Sequence, residues 1–133
     1  MITKSTLSSY ECKVYMGMID EVKNKNIRQR RLIKEIQSFQ NGWHIMIPVR
    51  LEKTIYLSGS EYIEKGYVIA AINYPRIIAR TPENRKTNIR KFMEALAERI
   101  ILKFNQKRVS IVDNYQTTMF ESLPNEQRGE KGK

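Results

Sequence analysis

The stretch KGYVIAAINYPRI, residues 65–77, constrains the fold more than any other part of this chain. From Tyr67 to Ile72 it carries no charged or strongly polar side chain apart from the leading tyrosine. It then halts at Asn73-Tyr74-Pro75-Arg76. A run this short, with turn signals after it, reads as an interior strand that is apolar on both faces. Pro75 ends the ladder, because proline has no N–H to donate, and it sets the direction in which the chain leaves. An interior strand needs neighbours on both sides, and the rest of the sequence has to supply them.

The first neighbour is ECKVYMGMI, 11–19, in which Cys12, Val14, Met16 and Met18 alternate with Lys13, Tyr15 and Gly17. Asp20 is placed to cap the next segment, and residues 27–40 set Leu32, Ile33, Ile36 and Phe39 at helical spacing before a stop at Asn41-Gly42. HIMIPVRLEKTIYL, 44–57, alternates again, and Pro48 marks it as an edge strand. SGSEYIEKG, 58–66, reads as a long hairpin connection into the apolar strand. Thr81-Pro82-Glu83 opens a helix with an N-cap hydroxyl, a proline in the first turn and an acid near the positive dipole end. Ile89, Phe92, Met93, Leu96, Ala97, Ile100 and Phe104 carry its apolar stripe to about Gln106. RVSIVDNYQTTMF, 108–120, returns to strand.

Strand, helix, strand, strand, helix, strand predicts an α/β chain, an α+β sandwich of the ferredoxin-like βαββαβ type. Its four-stranded antiparallel sheet would carry both helices on one face. The expected organisation is a flexible N-terminus over 1–9, a single domain over 10–123 and a disordered tail over 124–133. With one face of the apolar strand turned from the helices, the open sheet face is expected to be covered by a bound ligand, a second subunit or the C-terminal segment, and a homo-oligomer through that face is expected.

The total of 24 Lys and Arg against 14 Asp and Glu gives a net charge of +10, which favours an anionic partner. The cations fall in two groups. Lys23, Lys25, Arg28, Arg30, Arg31 and Lys34 have no acid among them; Arg76, Arg80, Arg85, Lys86, Arg90 and Lys91 have only Glu83. Arg76, Arg80, Thr81 and Arg85, with Asn73 and Tyr74, form a corner at a helix start that could face a phosphate. No apolar run approaches the length of about 20 residues that spans a bilayer, and MITKSTLSSYECK has no secretory-type apolar region, so a cytoplasmic chain without a membrane partner is expected.

Tyr15 and Tyr67, with Lys13 and Lys65 near, are expected on adjacent central strands, where rings beside positive charge can stack bases. Here VYMGMI (14–19) and KGY (65–67) resemble the first- and third-strand motifs of the RNA-recognition motif. Val68, Ile69 and Ile72 depart from the third-strand pattern, which asks for a small residue and aromatics there. YECKVYMGMID, EKGYVIAAINYPRI and ALAERIILKFNQKRVSIVDNYQTTMFE also resemble, in order and pattern, small phage-type proteins of ferredoxin-like organisation. That resemblance implies a compact βαββαβ protein that binds a host macromolecule or a signalling nucleotide.

No catalytic, metal or cofactor site is expected. His44 is alone, Cys12 alternates into the buried face, and Asp20, Glu52, Glu61, Glu64 and Asp113 are unpaired along the chain. The expectation is therefore a non-catalytic binder of a phosphate-bearing ligand, nucleic acid foremost, through Lys13, Tyr15, Arg28, Arg31, Tyr67, Asn73, Tyr74, Arg76, Arg80, Thr81 and Arg85. The alternatives are a phage-type counter-defence protein that sequesters a nucleotide or blocks a host protein, and a structural oligomer subunit.

Overall fold

A computed structural model of the chain describes residues 1–4, 10–59, 62–71 and 82–122. In order the elements are β1 (Cys12–Gly17), β2 (Ile19–Asp20), β3 (Lys25–Asn26), α1 (Gln29–Gly42), β4 (Val49–Ser58), β5 (Tyr62–Ala71), α2 (Pro82–Lys103), β6 (Arg108–Asp113) and β7 (Thr117–Glu121). The main sheet is antiparallel and runs β4-β5-β1-β6-β7, while β2 and β3 form a small separate ribbon. The apolar strand, β5, lies inside the sheet and the Pro48-led strand, β4, lies at an edge. No helix among the described residues is long and apolar enough to cross a membrane.

Among the described residues the protein is thus a mixed α+β fold with an antiparallel sheet and two helices, but the sheet has five strands where four were expected. The expected strand at 108–120 is broken at Asp113. Its Oδ1 accepts the N–H groups of Tyr115 and Gln116, each at 2.8 Å, and so closes a turn that folds β7 back on β6. The expected long connection at 58–66 is instead a tight hairpin. Ser58 pairs with Tyr62 across it, and Gly59 adopts φ +70, a left-handed conformation that glycine reaches without strain. Asp20 caps a turn and not α1: its Oδ1 accepts the N–H groups of Val22 and Lys23, and α1 starts later, with Arg28 at its N-cap.

One core holds the layers together. Cys12, Val14 and Met16 of β1, Tyr67 and Ile69 of β5, and Val109 and Ile111 of β6 face Leu32 and Ile36 of α1 and the whole α2 stripe from Ile89 to Phe104. Each large side chain buried this way stabilises the fold by about 1.5–3 kcal/mol. The helices meet through Phe39 and Phe92, whose ring centroids lie 5.4 Å apart, and through the Arg99–Glu35 ion pair at 2.6 Å.

The register explains why β5 is apolar on both faces. Val14 pairs with Ile69 and Met16 with Tyr67 on the helix side; Tyr15 pairs with Val68 and Lys13 with Ala70 on the open side. The open-side residues of β5 are small and lie in a trough between longer ones, Val68 between Tyr15 and Glu52, Ala70 between Lys13 and Arg50. Val68 is only 8% exposed and Ala70 5%. The greasy strand is therefore already shielded within the chain.

Tyr10, at the start of β1, joins a polar knot that pins both sheet and helix. Its hydroxyl donates to Asp113 Oδ2 at 2.7 Å, and the Arg90 guanidinium donates to the same oxygen at 2.7 Å, to Glu94 at 2.6 Å and to Thr118 at 2.6 Å. Burial alone would raise the Asp113 carboxyl, but the bonds from Tyr10, the Tyr115 and Gln116 N–H groups and Arg90 outweigh it and hold it below the usual value. Arg90, counted by sequence among free cations, is thus structural.

Candidate functional site

The sheet face away from the helices carries a hollow of about 370 Å³ where β1 ends. It is lined by Tyr15, Gly17, Glu21, Tyr56, Glu64, Gln106, Lys107, Arg108 and Ser110, with the Met16 backbone between. Alternation brings these together. Tyr56 pairs with Glu64 across the β4–β5 hairpin, Tyr15 pairs with Ser110, and all stand on the open face. The floor is low because Gly17 pairs with Gly66. A Cβ on Gly66 would lie 2.3 Å from the Met16 carbonyl oxygen and 2.8 Å from the Tyr56 ring, so only glycine lets the backbone and that ring come so near.

The wall is braced by the end of α2. Asn105 takes φ +52, a conformation asparagine tolerates, and turns its amide onto both carboxylate oxygens of buried Asp20, at 2.9 and 3.1 Å. Gln106 accepts the Gly17 N–H at 2.9 Å and donates to the Ile19 carbonyl at 2.8 Å, so its side chain replaces the missing ladder partner at the end of β1. Lys107 stands 3.9 Å from Glu21, and Arg108 pairs with Glu121 at 3.0 Å; both are exposed contacts of small energetic weight.

Within this braced hollow, the Tyr56 hydroxyl is buried and, among the described residues, is the one buried side-chain polar atom without a hydrogen-bond partner. Burial, reinforced by neighbouring Tyr15 and Glu64, pushes its pKa up to about 12, so at neutral pH it stays protonated and able to donate. A native protein leaves few buried hydroxyls unpaired, so this one is a position where a ligand or a water can supply the partner.

Of the residues singled out by sequence, Tyr15 lines this hollow and Lys13 stands two residues along the same face. Tyr67 does not share that face, a correction that rests on the register: it points into the core and donates its hydroxyl to the Ile27 carbonyl at 2.7 Å. Arg31 lies over the Phe104 ring at 4.8 Å, and Arg28 is exposed at the start of α1; neither lines the hollow. Asn73, Tyr74, Arg76, Arg80 and Thr81 lie outside the described residues, as do residues 5–9 and the tail from 123, and Arg85 is described only as part of the α2 backbone. Sequence reasoning passed over Tyr56 and Gln106 and left Glu64 as a scattered acid. Among the described residues no group of three or more His, Cys, Asp or Glu is placed to hold a metal ion.

The fold and the hollow define a class: an α+β protein with an antiparallel sheet, helices on one face and a small-molecule-sized depression on the other. No family model matches the chain, and no curated protein matches it. Two solved structures share its fold. A phage SAM lyase in complex with S-methyl-5'-thioadenosine superposes with a TM-score of 0.62 at 11% identity, covering 92% of this chain and 96% of that one. A phage SAM lyase in its apo state gives 0.63 at 13%, covering 91% and 97%. Both alignments run nearly end to end, so the likeness is one of the whole fold and not of a fragment. They overturn the expectation of a non-catalytic nucleic-acid binder and of a chain that is not an enzyme: both matched structures are of a phage SAM lyase, one of them with S-methyl-5'-thioadenosine bound.

Proposed function

We propose that this protein is a small-molecule enzyme that cleaves S-adenosylmethionine, with the open-face hollow around Tyr56 as its substrate pocket. The observation that carries the reading is the buried, partnerless Tyr56 hydroxyl in a hollow on a fold that matches a SAM lyase over 92% of the chain. Two tyrosine rings offer faces for a purine or a sulfonium. Glu64 offers acceptors for ribose hydroxyls or the ammonium group, and Lys107 and Arg108 at the rim suit a carboxylate.

The chemistry accounts for a pocket without a histidine or an acid–base pair. A lyase that leaves S-methyl-5'-thioadenosine breaks the bond between sulfur and the γ-carbon of the methionine part. The substrate carries its own nucleophile: its carboxylate oxygen forms a bond to that carbon, the sulfur leaves with the electron pair as a neutral thioether, and the other product is homoserine lactone. No water adds and no proton moves. Carboxylate and sulfonium charges cancel along the path, so a site that folds the substrate into an attack geometry and removes water lowers the barrier. A carboxylate held against the sulfonium would favour the reactant, so Glu64 serves better at the ribose or ammonium group.

The test is incubation of the purified protein with S-adenosylmethionine and mass spectrometry of the products. S-methyl-5'-thioadenosine and homoserine lactone are expected, with turnover reduced at least tenfold in Tyr56→Phe and in Glu64→Gln. Tight binding of S-adenosylmethionine without turnover would place the protein with nucleoside-sequestering counter-defence proteins instead; absence of both binding and turnover overturns the reading.

A further inference from the structure

The β4–β5 ribbon has a second face. Past the Gly17–Gly66 pair β5 has no register partner in β1, while β4 and β5 stay paired to Ser58 and Tyr62. The ribbon therefore projects as two strands, an arrangement that is marginal in water unless something packs on it. One side carries Tyr56 and Glu64; the other carries Ile55, 57% exposed, with Lys65 directly opposite it and Lys53 next along. Between this side and the β2–β3 ribbon runs a groove of about 690 Å³ lined by Met18, Asn26, Lys53, Thr54, Ile55 and Lys65. Among the described residues, every charged group on its wall is a cation. Neither Lys53 nor Lys65 is in an ion pair among the described residues, and exposed Lys25 extends the same sign beside Asn26.

We propose that this groove docks an acidic, partly apolar segment of another protein. Carboxylates of the segment would sit between Lys53 and Lys65, and its aliphatic side chains on Ile55 and Met18. Charge complementarity names the partner's sign, and the apolar floor distinguishes the groove from a solvated cationic face. The inference is independent of the reaction proposed above, since Lys53 and Ile55 lie on the side of the ribbon away from Tyr56.

The probe is a fluorescein-labelled peptide of alternating Glu and Leu, followed by anisotropy, with a Lys–Leu peptide as control. The acidic peptide is expected to bind and the basic one not. Lys53→Glu and Ile55→Asp, with circular dichroism confirming the fold, are each expected to weaken binding at least tenfold, while a charge-matched Lys34→Glu on α1 changes it less than twofold. Equal losses in Lys53→Glu and Lys34→Glu would mean general attraction to a basic protein and would overturn the proposal. So would no binding at all, or sedimentation showing self-association that Ile55→Asp abolishes, which makes a second copy the occupant.

Discussion

At the scale of single residues, Tyr56 and Asp113 show two opposite ways of burying a polar group. Asp113 is saturated: two turn N–H groups, the Tyr10 hydroxyl and the Arg90 guanidinium all donate to it. Its carboxyl is held below the usual 3.8, so the stabilisation it confers is complete above that value and is lost as pH falls through the lower folded value. Asp113→Asn should cost about 3 kcal/mol at pH 7, because it leaves the largely buried Arg90 charge short of its partner. In urea titrations the gap to the parent protein should close as the pH falls through the lowered folded-state value of Asp113. Tyr56 is the reverse case, a hydroxyl that folding buries and leaves unpaired. Tyr56→Phe is expected to leave stability unchanged or raise it by about 1 kcal/mol, since it removes an unmet donor. The same change should weaken S-methyl-5'-thioadenosine binding about tenfold, a difference of roughly 1.4 kcal/mol. Calorimetric unfolding and ligand titration on one preparation measure both. A parallel loss of stability and affinity would make Tyr56 a packing residue and nothing more.

At the scale of elements, what was legible in the sequence was what depends on side-chain pattern. The α2 stripe and the alternation of β1 follow from spacing, which burial enforces, while the interior place of β5 was signalled by apolar residues on both faces and the edge place of β4 by Pro48. What was not legible depended on register and turn closure. The pairing of Tyr56 with Glu64 needs Ser58 to face Tyr62, and the Ser-Gly-Ser-Glu sequence permits more than one register. The opposite facing of Tyr15 and Tyr67 needs the β1–β5 register, in which a shift of one residue moves every side chain to the other face. The break at Asp113 had a signal, Asp-Asn inside an alternating run, that strand propensity on both sides outweighed. Gly66 concentrates the register's demands. Gly66→Ala would place a methyl group against the Met16 backbone and the Tyr56 ring together, and the Met16 backbone cannot yield without parting β1 from β5. The expected cost is about 3 kcal/mol, at the upper end for overpacking. Slowed product formation should accompany it, because the hollow's floor would rise.

At the scale of the whole molecule, the net charge of +10 has a different consequence for the substrate proposed above than for a polyanion. For a polyanion it would be an attraction, and added salt would weaken binding. S-adenosylmethionine carries an ammonium, a sulfonium and one carboxylate, so it approaches with a net positive charge and meets a repulsive field. Part of the cationic excess is neutralised locally: Arg90, Arg99 and Arg108 are tied to acids, and Glu21 and Glu64 stand at the hollow itself. The remainder, including Lys53, Lys65 and the exposed cations at the start of α1, acts at a distance. Raising ionic strength from about 0.01 M to about 0.15 M shortens the screening length from about 30 Å to about 8 Å, which should cut that repulsion. KM for S-adenosylmethionine is therefore expected to fall about twofold over this range, with kcat little changed. S-methyl-5'-thioadenosine is uncharged and should bind equally well at both salt concentrations. A KM that instead rises steeply with salt would mean that the ligand is met as an anion. The field of this basic surface would then be drawing the ligand in, and the pocket around Tyr56 would be serving a chemistry other than sulfonium cleavage.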